Sequence, residues 1–288
     1  MRIKKLRILK IFSDMTRTRT IFAIMVAVMG MMAVSGCKLT EGRSNEDILA
    51  RFTNELGDVK LGDAKNADLY TMGGATFESK KVENLEIDWY HDSVTIQAYD
   101  GNEVIISETS DSALTDSTTM HYYFDSKGTL KIVFGKPGVS MKGSEVPDKQ
   151  LLVKVPRTLR LESVEVNGLG HNFRMDSVCC EDLEINSVWS QMYLNECEVK
   201  NIEVNGVSAD LSATFSQMPE EIELNNVSGK TTLWVPEDAG ITLELNGIAH
   251  DFHSTLPVAT KGKKKVIGNG ACKIESNAVS GDLDIIAK

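Results

Sequence analysis

Residues 202–212 read IEVNGVSADLS, and close relatives of that stretch recur along the same chain: VEVNGLGHNF, LEINSVWSQM, IELNNVSGKT, LELNGIAHDF and IESNAVSGDL. Aligned on their shared asparagine, the copies fall at Asn167, Asn186, Asn205, Asn225, Asn246 and Asn277, in steps of 19, 19, 20, 21 and 31 residues. A period near 20 marks a solenoid, in which each unit is one turn that cannot bury its own apolar side. In IEVN, Ile202 and Val204 point one way and Glu203 the other, because strand side chains alternate. The next apolar residue, Val207, lies three positions after Val204. The alternation therefore breaks and the chain bends at Asn205-Gly206, two residue types that tolerate a left-handed corner. Beyond it, Val207, Ala209, Leu211, Ala213 and Phe215 face inward, and Ser208, Asp210, Ser212 and Thr214 outward. Val188, Met192 and Leu194 repeat the pattern, as do Val279, Leu283 and Ile285. Each unit is thus a short strand, an asparagine corner, a longer strand and a loose return.

Energetics require the copies to stack. Five inward residues per turn contribute about 1.5–3 kcal/mol each when fully buried, whereas ordering some twenty residues costs roughly 1–2 kcal/mol apiece in backbone entropy. A single turn loses, and only neighbours sharing a core and hydrogen-bond ladders close the gap. The expected fold is all-β: a parallel, β-helix-like β-solenoid of about six repeats over 161–288, preceded by a β-rich cap over 85–160. In the cap, LEIDWYHDSVTIQAY, NEVIISE, MHYYFDSKGTLKIVFG and KQLLVKVP alternate between turn signals. Residues 135–148 read as a surface loop, the stretch PVATKGKKKVIGNG as an insertion that loops out, and the terminal GDLDIIAK as an open edge.

Residues 1–36 have a basic start, an apolar run over 21–34 and small residues before Cys37, the plan of a secretory signal. Val34-Ser35-Gly36-Cys37 resembles a bacterial lipobox, which implies acyl chains on Cys37 and a lipid-anchored, extracytoplasmic protein at the cell membrane or outer membrane. A plain secretory signal or an N-terminal membrane anchor is the alternative. Residues 37–84 read as a tether with one short helix, NEDILARFTNELG, capped by Ser44 and stopped by Gly57. The seven basic residues and one acidic residue of 1–36 leave 24 basic and 40 acidic of the original 31 and 41, a net charge near −16. Such a charge argues against nucleic acid as a partner.

Candidate site residues lie on the outward faces. Two residues before each asparagine stand Glu165, Glu184, Glu203, Glu223, Glu244 and Glu275, a column of like charges at strand spacing. It attracts a cation or a basic partner, or else it is a solvated face that discourages sheet pairing. Trp189, Tyr193 and Trp234 face outward on the longer strands and either stack on sugars or a protein partner, or lie under loops. Cys179, Cys180, Cys197 and Cys272 have no metal-binding spacing and read as buried thiols or as a disulfide between neighbouring turns. His171 and His250 share a repeat position four turns apart, too far to hold one metal. Neither a metal nor another cofactor is expected. Only Arg174, Asp176 and Lys230 invite comparison with polysaccharide-cleaving β-helices, and they make a thin constellation.

Val279-Ser280-Gly281-Asp282-Leu283-Asp284-Ile285 resembles the recurring V-S-G-D-hydrophobic-x-hydrophobic unit of a bacterial domain-of-unknown-function family. That family comprises β-strand-repeat envelope proteins labelled as candidate adhesins. HDSVTI, DSKGTLKIVF and LLVKVP fit its layout, and the resemblance spans roughly residues 82–288, although His171-Asn172 and His250-Asp251 stand where Gly281-Asp282 do. It implies the repeat fold and a non-catalytic surface role, adhesion to or binding of a glycan or envelope protein, and carries no catalytic residues. An envelope-stress or signalling accessory and a carbohydrate-active β-helix enzyme are the other readings.

Overall fold

The structure, a computed structural model, describes residues 58–61 and 66–288. The signal region, Cys37 and the helix expected after Ser44 lie outside the described residues. The first strands are β1 (Asp58–Leu61), β2 (Thr71–Met72), β3 (Ala75–Glu78), β4 (Asn84–Asp88), β5 (His91–Tyr99) and β6 (Glu103–Ser110). They are followed by β7 (His121–Phe124), β8 (Thr129–Val133), β9 (Val139–Lys142) and β10 (Lys149–Pro156). The repeats supply β11 (Arg160–Asp176), β12 (Cys179–Asn195), β13 (Glu198–Thr214), β14 (Glu221–Ser228), β15 (Lys230–Val235) and β16 (Ile241–Ser254). A hairpin of β17 (Val258–Lys261) and β18 (Lys264–Ile267) precedes the last strand, β19 (Cys272–Ala287).

The repeats stack as parallel coils. Each long strand bends at its asparagine and serves two sheets, the segment before the bend in one and the segment after it in the other. Glu165, Glu184 and Glu203 are direct neighbours across β11, β12 and β13, as are Phe173, Met192 and Leu211 in the second sheet. Between the sheets Ile202, Val204, Ala209, Leu211, Ala213 and Phe215 are all buried, with Ile185, Leu183 and Leu224 beside them in one continuous core, and Val207 is buried at the corner outside that cluster. The stack begins earlier than the asparagine repeats. β4 and β5 form a further coil in register with both halves of β11, Asp88 occupying the asparagine place. Beyond that coil, β8 adds in parallel to β4 and β10 to β5.

Several local expectations change. The asparagine itself is not left-handed: in β11, β12, β13 and the returns between them the positive φ values belong to Ser177 (55°) and Glu196 (50°), and in the β4–β5 coil to Asp92 (69°), four residues past Asp88. The left-handed backbone is therefore needed at the return, which is tight rather than loose, since β12 starts three residues after β11 ends. Gly206 is required at the corner for space, because a Cβ there would sit 2.6 Å from the Cβ of Ala209 and 2.7 Å from Asn226 Oδ1. Val279, expected inside, is half exposed where the corner opens in the last coils.

The largest change is the order of the coils. β19 pairs on one side with β14 and β15 and on the other with β16, so the last strand in sequence is the penultimate one in space. GDLDIIAK is thus interior and not an open edge. Residues 258–267 do not simply loop out: they fold into the β17–β18 hairpin, and β18 pairs antiparallel with Ile241–Glu244 of β16. The 135–148 loop contains β9, which pairs with β1, and in the run read as linker β2 and β3 pair with β7 and β6.

Candidate binding faces

The outward face of the first sheet carries two parallel columns. Glu86, Glu165, Glu184, Glu203, Glu223, Glu275 and Glu244 stand side by side in that order. The column is bracketed by cations, Lys131 bonding Glu86 at one end and Lys264 bonding Glu244 at the other. Glu86 escaped the sequence reading because its coil, LEID, has aspartate in place of asparagine. Two residues along each strand runs a chain of amides. Asn246 donates to Asn277 (3.0 Å), Asn277 to Asn225 (2.8 Å) and Asn225 to Asn205 (3.0 Å). Asn205 then donates to Asn186 (2.9 Å), Asn186 to Asn167 (2.9 Å) and Asn167 to the Asp88 carboxylate (3.1 Å). The second N–H of Asn167, Asn186, Asn205 and Asn225 is given to the glutamate of the same coil, at 2.8–3.1 Å. All these amides point one way and the chain ends on an anion, an arrangement in which each bond polarises the next.

The acid column still bears a cost. Burial pushes the Glu184 carboxyl above its ordinary value, and although the Asn186 amide opposes this, the neighbouring charges of Glu165 and Glu203 reinforce it. A carboxyl with a raised folded-state pKa stabilises the fold most below its unfolded value, near 4.3, and that stabilisation is lost as pH rises through the folded value. Glu184→Gln keeps the acceptor for Asn186 and removes one charge from the column. It should raise stability at pH 7 by up to about 1 kcal/mol and flatten the pH dependence of the melting temperature between pH 4 and 7, as thermal unfolding at several pH values would show.

The outward face of the second sheet has a different composition. Across β11, β12, β13 and β15, Asn172, Gln191, Asp210 and Lys230 form one row, and Arg174, Tyr193, Ser212 and Thr232 the next. Asn195, Thr214 and Trp234 continue a third. Tyr193 and Trp234 are 42 % and 38 % exposed, so among the described residues no loop buries them. They are two strand spacings apart, about 10 Å along the stack. A shallow groove beside Tyr193 is lined by Gln191, Tyr193, Asp210, Ser212, Lys230 and Thr232, and Trp234 lies two residues beyond Thr232 along β15. The side chain of Trp189 lies outside the described residues; its backbone pairs with Gly170 and Ser208.

Arg174 donates to Asp176 at 2.6 Å, and that bond holds its guanidinium charged beyond the ordinary arginine range. Lys230 pairs with Asp284 at 2.9 Å. Both cations are therefore already engaged, on strands three spacings apart. Among the described residues no three His, Cys, Asp or Glu side chains gather closely enough to hold a metal. Cys179, Cys180, Cys197 and Cys272 are all free thiols. Burial pushes Cys197 up to about 11 and Cys272 to about 12, which makes them packing residues and not nucleophiles.

One polar cluster was not singled out from the sequence. Lys149 is fully buried in the first part of the molecule, its ammonium donating to Glu108 (2.6 Å) and to the carbonyls of Thr118 and Phe134. It lies over the rings of Trp89 and Phe134, 4.8 and 4.2 Å from their centroids. The signal was present: Lys149 has the inward parity of Leu151, Val153 and Val155, and Glu108 that of Val104 and Ile106.

No helix among the described residues is long and apolar enough to cross a membrane. No curated protein matches the sequence. The fold is similar to that of a crystallised candidate cell adhesion protein from Clostridium sporogenes, at 11 % identity and a TM-score of 0.45, over 76 % of this chain and all of that one. A candidate adhesin from Bacteroides fragilis aligns at 10 % identity and a TM-score of 0.31, over 76 % of this chain and 97 % of that one. The family model described as Toastrack DUF4097 matches twice, over residues 82–214 and 158–286, so that the two matches share the three coils of β11, β12 and β13. The two family-model matches together span residues 82–286, most of the chain and all of its asparagine coils, and the chain therefore belongs to the Toastrack DUF4097 family.

Proposed function

We propose that this protein is a non-catalytic, lipid-anchored envelope protein, tethered through Cys37, that binds a linear carbohydrate polymer along the outward face of its second sheet. The observation that carries this reading is the exposure of Tyr193 and Trp234 on one sheet face, with a groove of amide, hydroxyl and charged side chains beside Tyr193. Sugar rings stack on exposed aromatic side chains, and their hydroxyls accept from amide N–H groups such as that of Gln191 and donate to carboxylates such as that of Asp210. The repeat geometry suits an extended ligand, since each coil presents the same three outward rows. The acid column on the opposite face is assigned to solubility and register: it repels a sheet edge-on or face-on, and its carboxylates already accept from the asparagine chain.

Binding of the purified protein to an array of envelope and matrix glycans, with Tyr193→Ala and Trp234→Ala beside it, tests the assignment. Each substitution should weaken retention about tenfold, equivalent to roughly 1.4 kcal/mol. Retention of no glycan, or equal retention by all three proteins, would refute it.

A further inference from the structure

Every sheet must end somewhere, and natural proteins protect such ends with short strands, lysines, prolines or a covering element. Three of the terminal edges here follow that rule. β2 and β3, at the first end of the stack, have two and four residues. At the other end Ile241–Glu244 is covered by β18, which belongs to a hairpin rich in lysine. The fourth edge carries no covering strand, although the ammonium of Lys265 lies 5.3 Å from the Phe252 ring centroid. Ala249–Ser254, the second-sheet half of β16, pairs with β19 on its inner side, and among the described residues no strand pairs with its outer side. The segment reads AHDFHS, with neither proline nor lysine. Six residues of β19, Ser280 to Ile285, pair with it in register.

The geometry points to a second copy of this chain as the occupant of that edge, joined antiparallel to the first about a two-fold axis through Phe252. An antiparallel, isologous contact places the same strand on both sides, so residues equidistant from the axis face each other. With the axis at Phe252, Asp251 of each copy stands opposite His253 of the other, both on the outward face and both exposed. Each imidazole then donates an N–H to a carboxylate that otherwise has Asp282 as its cross-strand neighbour. Moving the axis to Asp251 would set two carboxylates against each other, and moving it to His253 would leave Asp251 opposite Thr255, so the charges select one register. The dimer would extend the second sheet across both molecules and double the length of the face that carries Tyr193 and Trp234, although the contact itself does not depend on what that face binds.

Sedimentation equilibrium of the full chain in a density-matched detergent tests the inference, with hydrogen exchange across Ala249–Ser254 as a second readout. The wild type should dimerise, and protection of Ala249–Ser254 should rise with protein concentration. Asp251→Lys, a change at an exposed position, should weaken the dimer at least tenfold by setting lysine against histidine. Asp251→Lys combined with His253→Asp should restore it, since the pair is then reversed in sense but opposite in charge. A chain that stays monomeric overturns the proposal, as does a dimer indifferent to Asp251→Lys or one that the double exchange fails to rescue. Protection of Ala249–Ser254 in a monomer by a co-purifying strand of another protein would also overturn it.

Discussion

Lys149→Met should lower the stability of the fold by about 3–5 kcal/mol, among the largest effects expected of any single substitution in this chain. The methionine matches the lysine stem in shape, so packing over Trp89 and Phe134 is largely kept. What is lost is the ammonium group. Glu108, itself almost fully buried, retains one bond, from the Met120 N–H at 2.8 Å, but its second oxygen is left charged and unpaired. The carbonyls of Thr118 and Phe134 lose their donor as well. Glu108→Gln added to Lys149→Met removes the orphaned charge while keeping an acceptor for Met120, and should recover a substantial part of the loss. A double-mutant cycle read by chemical denaturation would give the coupling. If the single variant unfolds within about 0.5 kcal/mol of the wild type, the buried pair is not a structural fixture.

The same residue predicts a pH signature. Burial draws Lys149 down to about 8, against the opposing pull of Glu108. In the unfolded chain a lysine holds its proton to about 10.4. Between those values the unfolded state binds more protons than the folded one, so this group's contribution to stability rises with pH across the interval. The stability gap between wild type and Lys149→Met should therefore widen from pH 8 to pH 10, a difference in which the other titrating groups cancel.

These examples show what a sequence of this kind discloses. Alternation places Ile202, Val204 and Val207 inside and puts a bend between them, because a half-buried strand has only one way to hide three apolar residues at that spacing. The same rule, applied to KQLLVKVP and NEVIISE, sends Lys149 and Glu108 inward, and the cost of burying a charge then demands that they meet. The first coil was less legible, since LEID differs from IEVN by an aspartate, which can end an amide chain but not continue it. The order of the last two coils was not legible. IELN, LELN and IESN are interchangeable as neighbours of β13 or β14, so side-chain pattern alone does not rank them. The choice is made by contacts distant in sequence: Lys273 bonds Glu221 and seats β19 beside β14, and β16 stands one strand spacing away with its outer edge under β18. Nor could spacing reveal that the left-handed residues would be Ser177 and Glu196, since a tight return and a loose one leave the same apolar period.

Replacing Asn205 by valine separates two explanations of the asparagine column, because β-propensity and the amide chain predict opposite signs. Valine is the better strand former by a few tenths of a kcal/mol, so on propensity alone the variant should gain stability. The chain predicts a loss. Asn205 donates to Asn186 and to Glu203 and accepts from Asn225. Without it Asn186, whose side chain is nearly inaccessible to water, has a carbonyl oxygen with no donor. One N–H of Asn225 also loses its acceptor, and Glu203 is left among its like-charged neighbours with no amide to hold it. An unsatisfied buried polar group costs about 1–3 kcal/mol, and water reaches the half-buried Asn225 in part, so the sum should be about 2–4 kcal/mol. For a chain of this size that corresponds to a melting temperature lower by roughly 5–15 °C. Asn246 supplies the control. It is exposed and stands at the donor end, so that among the ladder bonds Asn246→Val removes only the one to Asn277, and its cost should stay below about 1 kcal/mol. Two equal shifts would mean that the asparagines act one by one as corner residues; a large loss at Asn205 and a small one at Asn246 is the mark of a chain of amides cut at its middle rather than trimmed at its end.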